Sequence, residues 1–146
     1  MNNGPDLHKD KINLQRLGFS GETGGAHASR TIMADELSRL LDAVQDPHAK
    51  RDKYRSAIID ENTLGKRSAK TRVLTFRHLA DLYGLNPDLL VFRGLRFFWE
   101  RDPDGQALLA LQSAFVRDAL LRSSASFITS TPDGVKVSRE AMEAHI

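Results

Sequence analysis

Four cations, Lys66, Arg67, Lys70 and Arg72, fall within seven consecutive positions, interleaved with the hydroxyls of Ser68 and Thr71. These residue types meet nucleic acid in a defined way. Arginine holds a guanine edge through two hydrogen bonds, while lysine, serine and threonine hold phosphate oxygens. Ser68 is a good N-cap, and Val73, Leu74, Phe76, Leu79 and Leu82 recur behind it at helical spacing, which predicts a helix from Ser68 to about Tyr83. The cations then crowd the first turn and a half of that helix. A helix N-terminus already carries partial positive charge, so cations there mildly destabilise it and favour an external anion such as phosphate. The competing expectation is that they pair with Asp60 and Glu61 just upstream.

The wider charge distribution points the same way. Twelve of the 21 Lys and Arg lie between residues 50 and 101 against six acids, so this stretch carries +6 while the remainder carries −4. The surplus is complete by Arg77 and includes Lys50, Arg51, Lys53 and Arg55. Such polarity suggests one basic face with an anionic partner, nucleic acid first; the plain alternative is a solvated charge run.

Residues 47–83 read as helix, short glycine turn, helix. In a helix-turn-helix the first helix crosses the phosphate backbone and the start of the second enters the major groove. On that reading Lys66, Arg67, Lys70 and Arg72 carry most of the contact, Ser68 and Thr71 add hydrogen bonds, and Lys50, Arg51, Lys53 and Arg55 sit on the neighbouring backbone. The alternative is a protein-interaction adaptor whose basic face meets an acidic partner.

The remaining elements are also read as helices. A weak helix over Pro5–Arg16 meets the glycine-rich stretch Gly18–Gly25, and Met33, Leu37, Leu40, Leu41 and Val44 give one buried stripe to a helix from about Ala26 to Val44. Asp46-Pro47, Asn86-Pro87 and Asp102-Pro103 each read as a cap followed by proline at the first helical position. They predict helices to about Asp60, through Trp99, and over a long segment carrying Leu108 to Leu121. Gly84 is expected to end the Ser68 helix, with Leu85 folding back on it. Phe127-Ile128-Thr129 and Val135-Lys136-Val137 flank Thr131-Pro132-Asp133-Gly134, a turn sequence compatible with a small β-hairpin at 127–137. Ser138 caps a last helix still running at Ile146, which fits the front part of a longer protein. The expected fold is an all-α, compact multi-helix bundle. Residues 1–25 form its N-terminal helix and loop, and 26–146 its helical DNA-binding domain.

Other chemistry is poorly supplied. The chain has no cysteine, which excludes disulfides, cysteine-based zinc sites and a thiol nucleophile. No apolar run approaches the ~20 residues of a membrane span, and MNNGPDLHKDK lacks a signal-peptide core, so a cytoplasmic protein is the expectation. His8, His27, His48, His78 and His145 show no metal-site spacing, and His78 with Asp81 reads as a surface pair. Gly65-Lys66-Arg67-Ser68 misses the phosphate-loop pattern, since Arg67 stands where Ser or Thr belongs. No glycine-flanked serine elbow exists. Neither an enzyme nor a cofactor is expected. The aromatic-basic run Phe92–Trp99 could stack bases, but Phe92, Leu95, Phe98 and Trp99 share a helical face and are expected in the core, with Arg93 and Arg96 at its rim.

The block Glu61-Asn62-Thr63-Leu64-Gly65-Lys66-Arg67-Ser68-Ala69-Lys70-Thr71-Arg72 resembles the Asn-x-Leu-Gly-Lys-x-Ser-x-x-Thr block of BrxA-type proteins, small helical components of BREX bacteriophage-exclusion systems. The similarity covers about residues 20–146, with the central block its distinctive part. The resemblance implies an all-helical fold with helix-turn-helix elements, double-stranded DNA as partner, work beside other defence-system proteins, and no enzymatic activity. The matched block falls on Asn62, Gly65, Lys66, Ser68 and Thr71. Such proteins are usually longer, so a second DNA-contacting element would lie beyond Ile146.

Overall fold

The computed structural model describes residues 13–19 and 32–145. Seven helices come after a helical stretch at 13–17: α1 (Ala34–Ala43), α2 (Arg51–Ile59), α3 (Ala69–Tyr83), α4 (Leu90–Trp99), α5 (Gln106–Arg117), α6 (Ala119–Ser130) and α7 (Arg139–His145). No strand occurs among the described residues, so the fold is all-α. Most of the expected N-terminal helix and glycine loop lies outside the described residues; the helix expected from about Ala26 to Val44 begins only at Ala34, because Met33, φ 52°, takes left-handed backbone at its N-cap.

The core is built where the apolar periodicity is strongest. Leu37, Leu40 and Leu41 of α1 meet Tyr54, Ala57 and Ile58 of α2, Leu79 and Tyr83 of α3, and Phe92 and Leu95 of α4, all nearly or wholly buried. The Tyr54 and Phe92 rings meet edge to face at 5.6 Å. The α5 helix packs against α3, α4 and α6. It does so through Ala110, Ser113 and Ala114, small side chains that let backbones approach closely. Beyond α5 the core thins: α6 buries Ser124 and α7 buries nothing. Arg117 straps α5 to its neighbours, its Nε donating to the Asp81 carbonyl at 2.8 Å and its Nη1 to that of Gly18 at 3.0 Å.

Helix ends obey local chemistry closely. Ser68 Oγ accepts the Thr71 N–H at 3.1 Å and Ser138 Oγ accepts that of Ala141 at 3.0 Å, both caps as expected. Gly84 closes α3 at φ 81°, its N–H returning to Ala80, and Leu85 beside it is fully buried. A Cβ at Gly84 would stand 2.5 Å from the Leu89 Cδ1 tip, which would have to shift, and the positive φ itself favours glycine.

Three expectations change. The Asx–Pro pairs do not start helices. Asp46 and Asn86 accept the N–H two residues on, from His48 at 2.9 Å and Asp88 at 3.0 Å, and Asp102 accepts that of Gly105 at 3.1 Å. In each case the N–H three residues on also returns to the Asx carbonyl, from Ala49, Leu89 and Gly105. Asx at the first corner and proline at the second is equally the signature of a tight turn, and the helix begins after that turn is complete. The long helix expected from Asp102 is broken at Asp118, whose Oδ1 accepts from Leu120 and Leu121 at 2.9 and 3.0 Å and caps α6. No hairpin forms at 127–137. Phe127-Ile128-Thr129 is instead the last turn of α6, where Thr129 and Thr131 hydroxyls donate to Ala125 and Phe127 carbonyls.

Candidate nucleic-acid interface

The connection between α2 and α3 spans residues 60–68 and is held as a firm platform. Leu64 sinks into the core at 2% exposure. Asn62 and Gly65 take left-handed backbone, φ 52° and 64°, and Asn62 Oδ1 accepts the Lys66 N–H at 2.8 Å. Arg39 of α1 reaches the Thr63 carbonyl at 3.5 Å. The platform and α1 are further joined by Lys66 Nζ and Glu36 Oε1, 3.0 Å apart and only about a quarter exposed (25% and 27%).

The expected site residues thus divide into two groups. Lys66 is engaged by Glu36. Arg72 is turned inward, its Nη1 donating to the Ile59 carbonyl at 2.8 Å, where it ties the first turn of α3 to the last turn of α2. Ser68 and Thr71 are occupied with the helix cap, their hydroxyl oxygens 2.9 Å apart. Lys53 lies 3.5 Å from Glu61, an exposed and weak pair. The self-pairing expected with Glu61 is therefore present, but at Lys53 rather than on α3.

The second group faces solvent. Lys50, Arg51, Arg55, Arg67 and Lys70 are exposed, and none has an ion pair among the described residues. Arg51 leans over the Phe76 ring at 5.6 Å, placing the start of α2 beside the middle of α3. Arg77 was not expected in the site, yet it is exposed two turns beyond Lys70. The two share one outward stripe with Val73, which is 49% exposed rather than in the core. The spacing of 70, 73 and 77 was the signal available for it.

Elsewhere the candidates thin out. His78 is buried at 6% exposure rather than at the surface. Among the described residues no group of three or more His, Asp or Glu could hold a metal ion, and no helix is long and apolar enough to cross a membrane. The Phe92–Trp99 run is split: Phe92, Leu95 and Trp99 are core as expected, but Phe97 and Phe98 are half exposed and Arg96 is buried at 7%. No family model, curated protein or solved structure matches this chain.

Proposed function

We propose that this chain is a non-enzymatic double-stranded-DNA-binding protein, with the outward stripe of α3 and the adjoining platform as its DNA-contacting surface. The reading rests on one observation: Arg67, Lys70 and Arg77, with Lys50, Arg51 and Arg55 of the neighbouring helix, are exposed and carry no carboxylate partner among the described residues. Exposed like charges without carboxylate partners repel one another, and a polyanion relieves that repulsion while releasing its own counterions. Val73 between Lys70 and Arg77 offers an apolar contact suited to a thymine methyl group.

Within this proposal α2 and α3 act as a helix-turn-helix of loosened form, since nine residues join them rather than the usual three or four. The Lys66 and Arg72 contacts fix the angle of α3 instead of touching DNA. A place in a BREX-like anti-phage system, beside other defence proteins, rests on the resemblance of residues 61–72 to the BrxA-type block.

Anisotropy titration with a random-sequence duplex tests the reading. The parent binds at low salt, and the Arg67→Ala/Lys70→Ala variant binds at least about tenfold more weakly with helix content unchanged. Equal binding by parent and variant moves the interface elsewhere. Absence of binding by the parent, with retention on an acidic polypeptide, favours the adaptor reading.

A further inference from the structure

A second surface lies on α4 and the turn that follows α1. Leu90, Arg93, Gly94 and Phe97 succeed one another at helical spacing along α4, and with Arg101 just past its end and Pro47 and His48 they border a groove of about 540 Å³. Two large rings stand half open to water there, Phe97 at 53% and Phe98 at 49% exposure. They meet edge to face at 5.0 Å, and the Arg101 guanidinium lies 4.0 Å from the Phe97 centroid. Exposed aromatic rings flanked by guanidinium groups are how unpaired bases are held without sequence preference: rings stack on bases and arginines meet phosphates.

Charge selects the occupant. Arg93, Arg96 and Arg101 border the groove against the single carboxylate of Glu100. Arg96 is buried, held by the carbonyls of Gln45 at 2.8 Å and Leu41 at 3.3 Å, with no carboxylate pair among the described residues and its Nε unpartnered. A buried, unneutralised guanidinium beneath a groove projects positive potential into it. Gly94 adds an independent sign. Glycine inside a helix costs about 1 kcal/mol against alanine. A Cβ at Gly94 would meet nothing within 4 Å, so packing does not require glycine there. Its effect is to keep the floor of the groove low.

We propose that this groove binds single-stranded nucleic acid, with bases stacked against the exposed Phe97 and Phe98 rings, phosphate on Arg93, and the Arg101 guanidinium, stacked over Phe97 and donating from Nη1 to its carbonyl at 2.7 Å, adding positive charge beside them. The groove shares no lining residue with the proposed duplex surface, and its preference for bases over an abasic strand is read independently of duplex binding.

The test titrates the full chain with a fluorescein-labelled thymidine strand of about twelve nucleotides and with an abasic strand of equal length and charge. The parent binds the thymidine strand at least about tenfold more tightly than the abasic one, and Phe97→Ala/Phe98→Ala removes that preference. Gly94→Leu, which fills the groove from an open position, weakens thymidine binding to a similar degree. Equal affinity of the parent for the two strands overturns the proposal, because the contact is then charge alone. So does an unchanged preference in both variants, or displacement of the strand by polyglutamate as readily as by unlabelled thymidine strand, which would make the groove a protein-docking surface. Arg67→Ala/Lys70→Ala serves as the cross-check: it lowers duplex binding and leaves the thymidine-over-abasic preference intact.

Discussion

Lys66 and Lys70 lie four positions apart, yet one ammonium is held against Glu36 in a partly buried pair and the other stands in water. Their substitution should therefore register in different measurements. Lys66→Ala lowers stability by about 1 kcal/mol, and duplex affinity changes little. Lys70→Ala leaves stability within about half a kcal/mol and flattens the dependence of log K on log salt by about one unit. Chemical denaturation and a salt series on both variants check the pair. A larger affinity loss at Lys66 than at Lys70 would mean that the Glu36 contact opens when DNA binds. Sequence alone places these residues together but cannot separate them, because Glu36 lies thirty positions upstream.

At the scale of elements, local signals are legible where one short-range interaction decides them. Ser68, Gly84 and Ser138 each act through a hydrogen bond or a backbone turn within a few residues, and each does what its type suggests. The Asx–Pro pairs mislead because a tight turn and a helix start use the same two residues, and only the backbone path beyond the proline distinguishes them. Asp118 is hidden inside an apolar run that reads as one helix, and the apparent hairpin arises from residues whose hydroxyls bond back along α6. Asp118→Ala removes the acceptor for two amide hydrogens and should cost about 1–2 kcal/mol. The accompanying loss of helicity should be confined to α6 and α7, which hydrogen exchange resolves; protection lost equally in α3 would contradict a local cap.

Across the whole molecule, the core of α1 to α5 encloses two tyrosines, and this sets a pH limit on the fold. Burial, then the nearby Glu36 carboxylate, pushes the Tyr83 phenol well above its ordinary range, and burial likewise raises Tyr54 against the pull of Arg96. A folded-state pKa above the unfolded one favours the neutral phenol in the fold. That stability is fully present below about pH 10, the unfolded value, and is lost as pH rises toward the folded values. Thermal melts should hold steady to about pH 10 and fall steeply above it, while Tyr83→Phe shows a shallower decline. Legibility also has its limit at this scale. The helical periodicity locates the α1–α4 core correctly, but sorting surface from interior on α3 and α4 requires the tertiary arrangement. Val73, Arg96 and Phe98 each lie on the side opposite to that expected.

The central claim concerns which cations remain free for a partner, and the salt dependence of duplex binding measures it most directly. Parent protein titrated with random duplex from about 50 to 200 mM salt should give a linear loss of log affinity, with a slope reduced by about two units in Arg67→Ala/Lys70→Ala. A parent that does not bind at the lowest salt, or a double variant with an unaltered slope, would contradict the account.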